Sequence, residues 1–119
     1  MLRGALLLSV LFLARGAAHA GDAAASVEGL WCGTGPLHEF SLHLAQQANE
    51  VTGTLVRKHR RRELHGRLRG NVLHAESSKH GALVLEVQGT RMRITGGDGA
   101  LALARGMAFT RASGALCTG

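Results

Sequence analysis

From residue 39 onward, apolar and polar side chains alternate with a period of two almost without interruption. "EFSLHLAQQ" sets Phe40, Leu42 and Leu44 against Ser41, His43 and Ala45. "VTGTLV" sets Val51, Gly53 and Leu55 against Thr52, Thr54 and Val56. The same alternation runs through "ELHGRLRG" (Leu64, Gly66, Leu68), "NVLHAES" (Leu73, Ala75), "ALVLEVQ" (Leu83, Leu85, Val87), "RMRIT" (Met92, Ile94) and "ALALARGMAFTRA". A period of two puts successive side chains on opposite faces of an extended chain, so these segments predict strands with one buried face. Turn chemistry separates them: Ala48-Asn49-Glu50, Gly70-Asn71, Lys79-His80-Gly81, Gly89-Thr90 and Gly96-Gly97-Asp98-Gly99. With a first strand at "VEGLWCGT", the chain predicts eight short-connected strands and no helix.

Eight consecutive antiparallel strands form a sandwich or roll into an up-and-down barrel, and closure removes the sheet edges at which exported proteins aggregate. Two features favour the barrel. Cys32 lies in the first strand and Cys117 just past the last, and glycines at 29, 33, 53, 66 and 106 stand where curved strands bend. The inward set comprises Trp31, Phe40, Leu42, Leu44, Leu55, Leu64, Leu68, Leu73, Leu83, Leu85, Val87, Met92, Ile94, Leu101, Leu103, Met107 and Phe109. Side chains of this bulk are expected to fill an eight-stranded barrel, with a slim apolar cavity as the alternative.

The first twenty residues have a different character. Arg3 precedes an apolar run, Ala5 to Ala14, too short to span a bilayer, and Ala18-His19-Ala20 offers an A-x-A cleavage site. Residues 1–20 therefore read as a signal peptide and 21–119 as a single exported domain, periplasmic or extracellular, with no transmembrane segment. In an oxidising compartment the only two cysteines, Cys32 and Cys117, are expected to form a disulfide between the N- and C-terminal regions.

The formal charge of the chain is +6. It is concentrated in "LVRKHRRRELHGRLRG", where Arg57, Lys58, Arg60, Arg61 and Arg62 fall at the tip between two strands and Arg67 and Arg69 on an outer face. Nucleic-acid modules interleave such charge with aromatic stacking platforms, and this chain has no Tyr and one Trp. No nucleic-acid partner is expected. An anionic envelope component or an acidic protein is the partner class that fits, and a solvated loop is the alternative.

Catalytic signatures are missing. Ser26, Ser41, Ser77, Ser78 and Ser113 stand in no nucleophile-elbow context, and the carboxylates are scattered. His38, His43, His59, His65, His74 and His80 show no H-x-H or H-x-x-x-H spacing, so no metal and no cofactor is expected. The chain reads as a binding protein, not an enzyme.

Gly29-Leu30-Trp31 resembles the G-x-W signature of the lipocalin and avidin-like barrels. That resemblance implies a tryptophan plugging one barrel end with an arginine of the last strand packed across it. Of Arg105 and Arg111, the latter shares parity with Met107 and Phe109 and would face Trp31. The aromatic box of avidin-like biotin sites is absent. "NEVTGTL" and "ELHGRLRGNVLHAE" are also similar to β-barrel domains of unassigned function in bacterial envelope proteins, which implies a fold only. Three expectations follow: a module whose basic hairpin contacts an anionic surface or protein partner, a lipocalin-like carrier of a small apolar ligand, or a periplasmic enzyme inhibitor.

Overall fold

The computed structural model describes residues 26–77 and 81–117. The proposed signal peptide lies outside the described residues. Strands β1 (Gly29–Gly33), β2 (Phe40–Gln47), β3 (Glu50–Arg57), β4 (Arg60–Arg69), β5 (Val72–Ser77), β6 (Gly81–Gln88), β7 (Arg91–Gly97) and β8 (Ala108–Arg111) form one closed antiparallel barrel in sequence order. The up-and-down barrel expected from the alternation is the observed fold. Closure is made by β1 on β8, where Trp31 pairs Arg111, Cys32 pairs Thr110 and Gly33 pairs Phe109. Cys32 and Cys117 form the expected disulfide, which ties the chain beyond β8 back to β1.

The inward positions pack as the period requires. Trp31, Leu42, Leu68, Leu73, Leu85 and Met92 are fully buried, and no polar side chain is buried with them among the described residues. Midway along the barrel the packing leaves a void of only about 10 Å³. The filled core expected from side-chain bulk holds there, but not along the whole length.

Two segments depart from the sequence reading. The first is the basic run, which belongs to the ladder and not to a loop. Arg57 ends β3 and Arg60 begins β4 as its register partner, so the turn is only Lys58-His59. Lys58 adopts φ +56°, a conformation costly for a residue bearing a Cβ.

The second is "ALALARG", which is not strand. Residues Gly99–Ala104 form a short 3-10 helix, here η2; the other such turn, η1, spans Gly35–Leu37. Leu and Ala alternate in η2, but both are apolar, so no amphipathic contrast holds the segment extended. Positive φ at Gly99 (+55°) and Gly106 (+91°) turns the chain at each end of η2. Leu101 and Ala104 pack against the core, whereas Leu103, expected inward, is 81% exposed. Arg105 follows η2 and donates through Nε to the Thr95 carbonyl, so it is not a residue of the last strand.

Candidate functional site at the barrel mouth

The two barrel ends differ. At the end bearing the N-terminal approach to β1, the Arg111 guanidinium carbon lies 4.4 Å from the Trp31 ring centroid. Arg111 Nη1 donates to the Glu28 carbonyl and Nη2 to the Ser26 carbonyl, each at 2.7 Å. Trp31 Nε1 donates to the Val27 carbonyl at 2.9 Å. One arginine thus fixes the residues entering β1 and covers the indole face, which shuts this end. Gly29 has φ +128°, and a Cβ there would stand 3.2 Å from Arg111 Nη1. The arginine passes where a side chain would sit.

The opposite end is framed by η1, the β3–β4 hairpin, the ends of β5 and β6 at Ser77 and Gly81, and η2. It is open. A cavity of about 400 Å³ enters the barrel there, with Phe40, Leu55, Leu64, Leu83, Ala100 and Leu101 as its apolar wall. Arg57, Arg60 and Arg62 line the same cavity. Their placement follows from the pleat: Val51, Gly53 and Leu55 precede Arg57 on one face of β3, and Leu68, Gly66 and Leu64 continue to Arg62 and Arg60 on one face of β4. These are the core-facing sides, so the apolar interior ends at its rim in three guanidiniums.

Their electrostatic states differ. Arg57 Nε donates to Glu39 Oε1 at 3.2 Å and its guanidinium lies 5.5 Å from the Phe40 ring centroid. That hydrogen bond, with the nearby Lys58 charge, holds the Glu39 carboxyl below the usual carboxylate range. Arg60 and Arg62 enter no ion pair among the described residues. A guanidinium offers a planar fork of donors that suits carboxylate and phosphate oxygens.

The other basic residues singled out from sequence are not part of this constellation. Lys58 lines a groove on the outer wall, 3.9 Å from Glu39 Oε2, and Arg61 pairs Val56 in register on the outward face. Arg67 donates to Glu50 Oε2 at 2.6 Å, five positions along β4 from Arg62, and Arg69 lies beyond it at the far end of the strand. At about 3.3 Å per residue, Arg67 stands about 16 Å along the strand from Arg62. The single patch expected from the sequence is therefore divided among an inner rim, an outer rim and the opposite barrel end. Continuing the period of two through "VRKHRRRE" separates Arg57, Arg60 and Arg62 from Lys58 and Arg61 once the two-residue turn is known. That turn was the missing information.

Among the described residues no group of three or more His, Cys, Asp or Glu side chains is placed to hold a metal ion. Among them, too, no helix is long and apolar enough to cross a membrane. The molecule is a disulfide-closed, eight-stranded antiparallel barrel, compatible with a calycin-like fold, with one shut end and one open, arginine-lined end. A scan of protein-family models finds no matching family, and searches of curated proteins and of solved structures find no match.

Proposed function

We propose that the chain is an exported, non-enzymatic binding barrel whose basic hairpin takes an anionic ligand at the barrel mouth. The ligand class that fits is a small amphiphile with one carboxylate or phosphate head and an apolar tail. The supporting observation is the run of Arg57, Arg60 and Arg62 along the rim of an apolar cavity of about 400 Å³. An apolar wall gains from covering a tail, and Arg60 and Arg62, which enter no ion pair among the described residues, gain charge-assisted hydrogen bonds from its head. The volume lies within the range of small-ligand sites.

This reading joins two of the expectations from sequence, the anion-contacting hairpin and the lipocalin-like carrier, at one place. The disulfide fits an oxidising, exported destination. The lipocalin-like Gly29-Leu30-Trp31 with Arg111 across it supports the carrier side of the reading without naming the ligand.

The test is calorimetric titration of residues 21–119 with dodecanoate and dodecyl phosphate below their micelle concentrations, beside dodecanol and butyrate. The expected result is binding of the two anionic long-chain probes, weaker binding of dodecanol and none of butyrate. An Arg60→Ser, Arg62→Ser variant should lose roughly tenfold or more in affinity for the anions while binding dodecanol unchanged, since hydrogen bonds to charged groups are worth about 1.5–3 kcal/mol. Equal affinity of both proteins for dodecanoate would remove the arginines from the site.

A further inference from the structure

Several exposed features lie outside the mouth site, among them Lys58 and Arg61 on the outer side of the hairpin and Leu103 on η2. Beside Leu116 at 77%, Leu103 is one of two large aliphatic side chains exposed among the described residues, at 81%. Its exposure is built in. A 3-10 helix repeats every three residues, so packing Leu101 and Ala104 onto the core turns Leu103 away from it. Closed strand order sets the β3–β4 turn and the β7–β8 connection four places apart among eight, on opposite sides of the opening. The perimeter of the mouth therefore carries a cationic hairpin on one side and η2, with its exposed leucine, on the other.

We infer that the mouth end of the barrel docks on an anionic lipid bilayer, with Leu103 in the interfacial layer and Lys58 and Arg61 against the headgroups. The two kinds of contact are the ones that interfacial binding combines, apolar insertion and attraction to anionic lipid. The charge complement favours a bilayer over an acidic protein. Arg60, Arg61 and Arg62 have no ion pair among the described residues, and residues 57–62 contain no acid, so the hairpin tip is unneutralised apart from Glu39 beside Arg57 and Lys58. An acidic protein would need a carboxylate cluster matched to this tip, but would have no use for a leucine on the far side of the opening. Docking in this orientation sets the cavity of about 400 Å³ against the headgroup layer.

This inference rests on the outer rim and is independent of what the cavity holds. It is tested by co-sedimentation of residues 21–119 with vesicles of phosphatidylglycerol and phosphatidylcholine, and with vesicles of phosphatidylcholine alone, across a salt series. Native protein should bind the anionic vesicles, release them as salt rises, and leave the neutral ones unbound. Lys58→Ser with Arg61→Ser should lower the partition roughly 30-fold, on the scale of about fivefold per surface cation. Leu103→Ser alters no charge; it should weaken partition several-fold while leaving the salt slope and dodecanoate affinity unchanged. Circular dichroism melting checks that each variant folds.

Native-like vesicle binding by both variants overturns the docking inference and leaves the mouth reading intact. Failure of dodecanoate to bind, with vesicle binding retained and sensitive to Leu103, does the reverse. Binding to soluble polyglutamate as tight as to vesicles, with Leu103→Ser without effect, assigns the hairpin to an acidic macromolecule and also overturns docking.

Discussion

Leu55 and Arg62 are register partners on β3 and β4, and both face the barrel cavity. An aliphatic side chain thus lies directly opposite a guanidinium that has no ion pair among the described residues. Such a position is a poor place for an arginine if stability alone is served, because its desolvation is not repaid by a partner.

Replacing Arg62 by Leu should therefore stabilise the fold by about 0.5–1 kcal/mol, through apolar burial at the top of the core, and at the same time reduce the preference for anionic over neutral amphiphiles, leaving the part that Arg60 supplies. Chemical denaturation and the calorimetric series measure both. A destabilised Arg62→Leu variant would mean that the guanidinium has structural work that its neighbours do not reveal.

The closed end makes an opposite demand on its arginine. Arg111 combines two hydrogen bonds to backbone carbonyls with a stacked position over Trp31. Arg111→Ala should cost about 2–4 kcal/mol, and a double-mutant cycle with Trp31→Leu should return a coupling of about 0.5–2 kcal/mol. Arg111→Lys should recover only part of the loss, since one ammonium replaces a planar fork that reaches two carbonyls. Additive single-mutant effects would separate the stacking from the stability of this end.

The disulfide closes a loop of 85 residues. A Cys32→Ser, Cys117→Ser variant should lose about 3–4 kcal/mol, a fall in Tm of about 15–25 °C for a domain of this size, without loss of the barrel's circular dichroism at low temperature. The ladder between β1 and β8 closes the barrel independently of the sulfur bridge.

Glu39 gives a pH signature. Its hydrogen bond from Arg57, aided by Lys58, depresses its folded pKa below the unfolded value. Its contribution is therefore fully present above the ordinary carboxylate range and is lost as pH falls through the depressed folded value. Carbon-detected NMR of the Glu39 carboxyl should titrate below the usual glutamate midpoint, and Arg57→Ser should move that midpoint upward. Because Glu39 is solvent-exposed, the accompanying change in stability should be small and should shrink as salt is added.

Lys58 sits at φ +56° in a two-residue turn. Lys58→Gly relieves that conformation and should raise stability by about 0.5–1 kcal/mol, while losing a cation from the outer rim and so weakening partition to anionic vesicles. The two effects run in opposite directions in one variant, which a destabilising mutation cannot imitate.

Much of the architecture was legible in the chain. The period of two over Phe40–Leu44, Leu83–Val87 and Met92–Ile94 is a local property of the backbone, because a pleated strand alternates its faces whatever lies around it. The placement of the two cysteines likewise followed from residue type and position. "ALALARG" was not legible, because leucine and alanine lack the polar contrast that marks a strand face. Its 3-10 fold is set by packing Leu101 and Ala104 over the end of the barrel.

The candidate site divides in the same way. The sequence by itself determined a basic segment between two strands, an apolar barrel interior and a bond between Cys32 and Cys117. Which cations reach the interior was decided only in three dimensions. The turn at Lys58-His59 sets the register that makes Arg57 face Arg60 and Leu55 face Arg62. Since side chains alternate at every residue, a slip of one position would turn Arg60 and Arg62 outward and Arg61 inward. Closure of β1 onto β8, a contact between the two ends of the domain, then determines that one mouth is shut by Arg111 while the other stays open beneath the arginines.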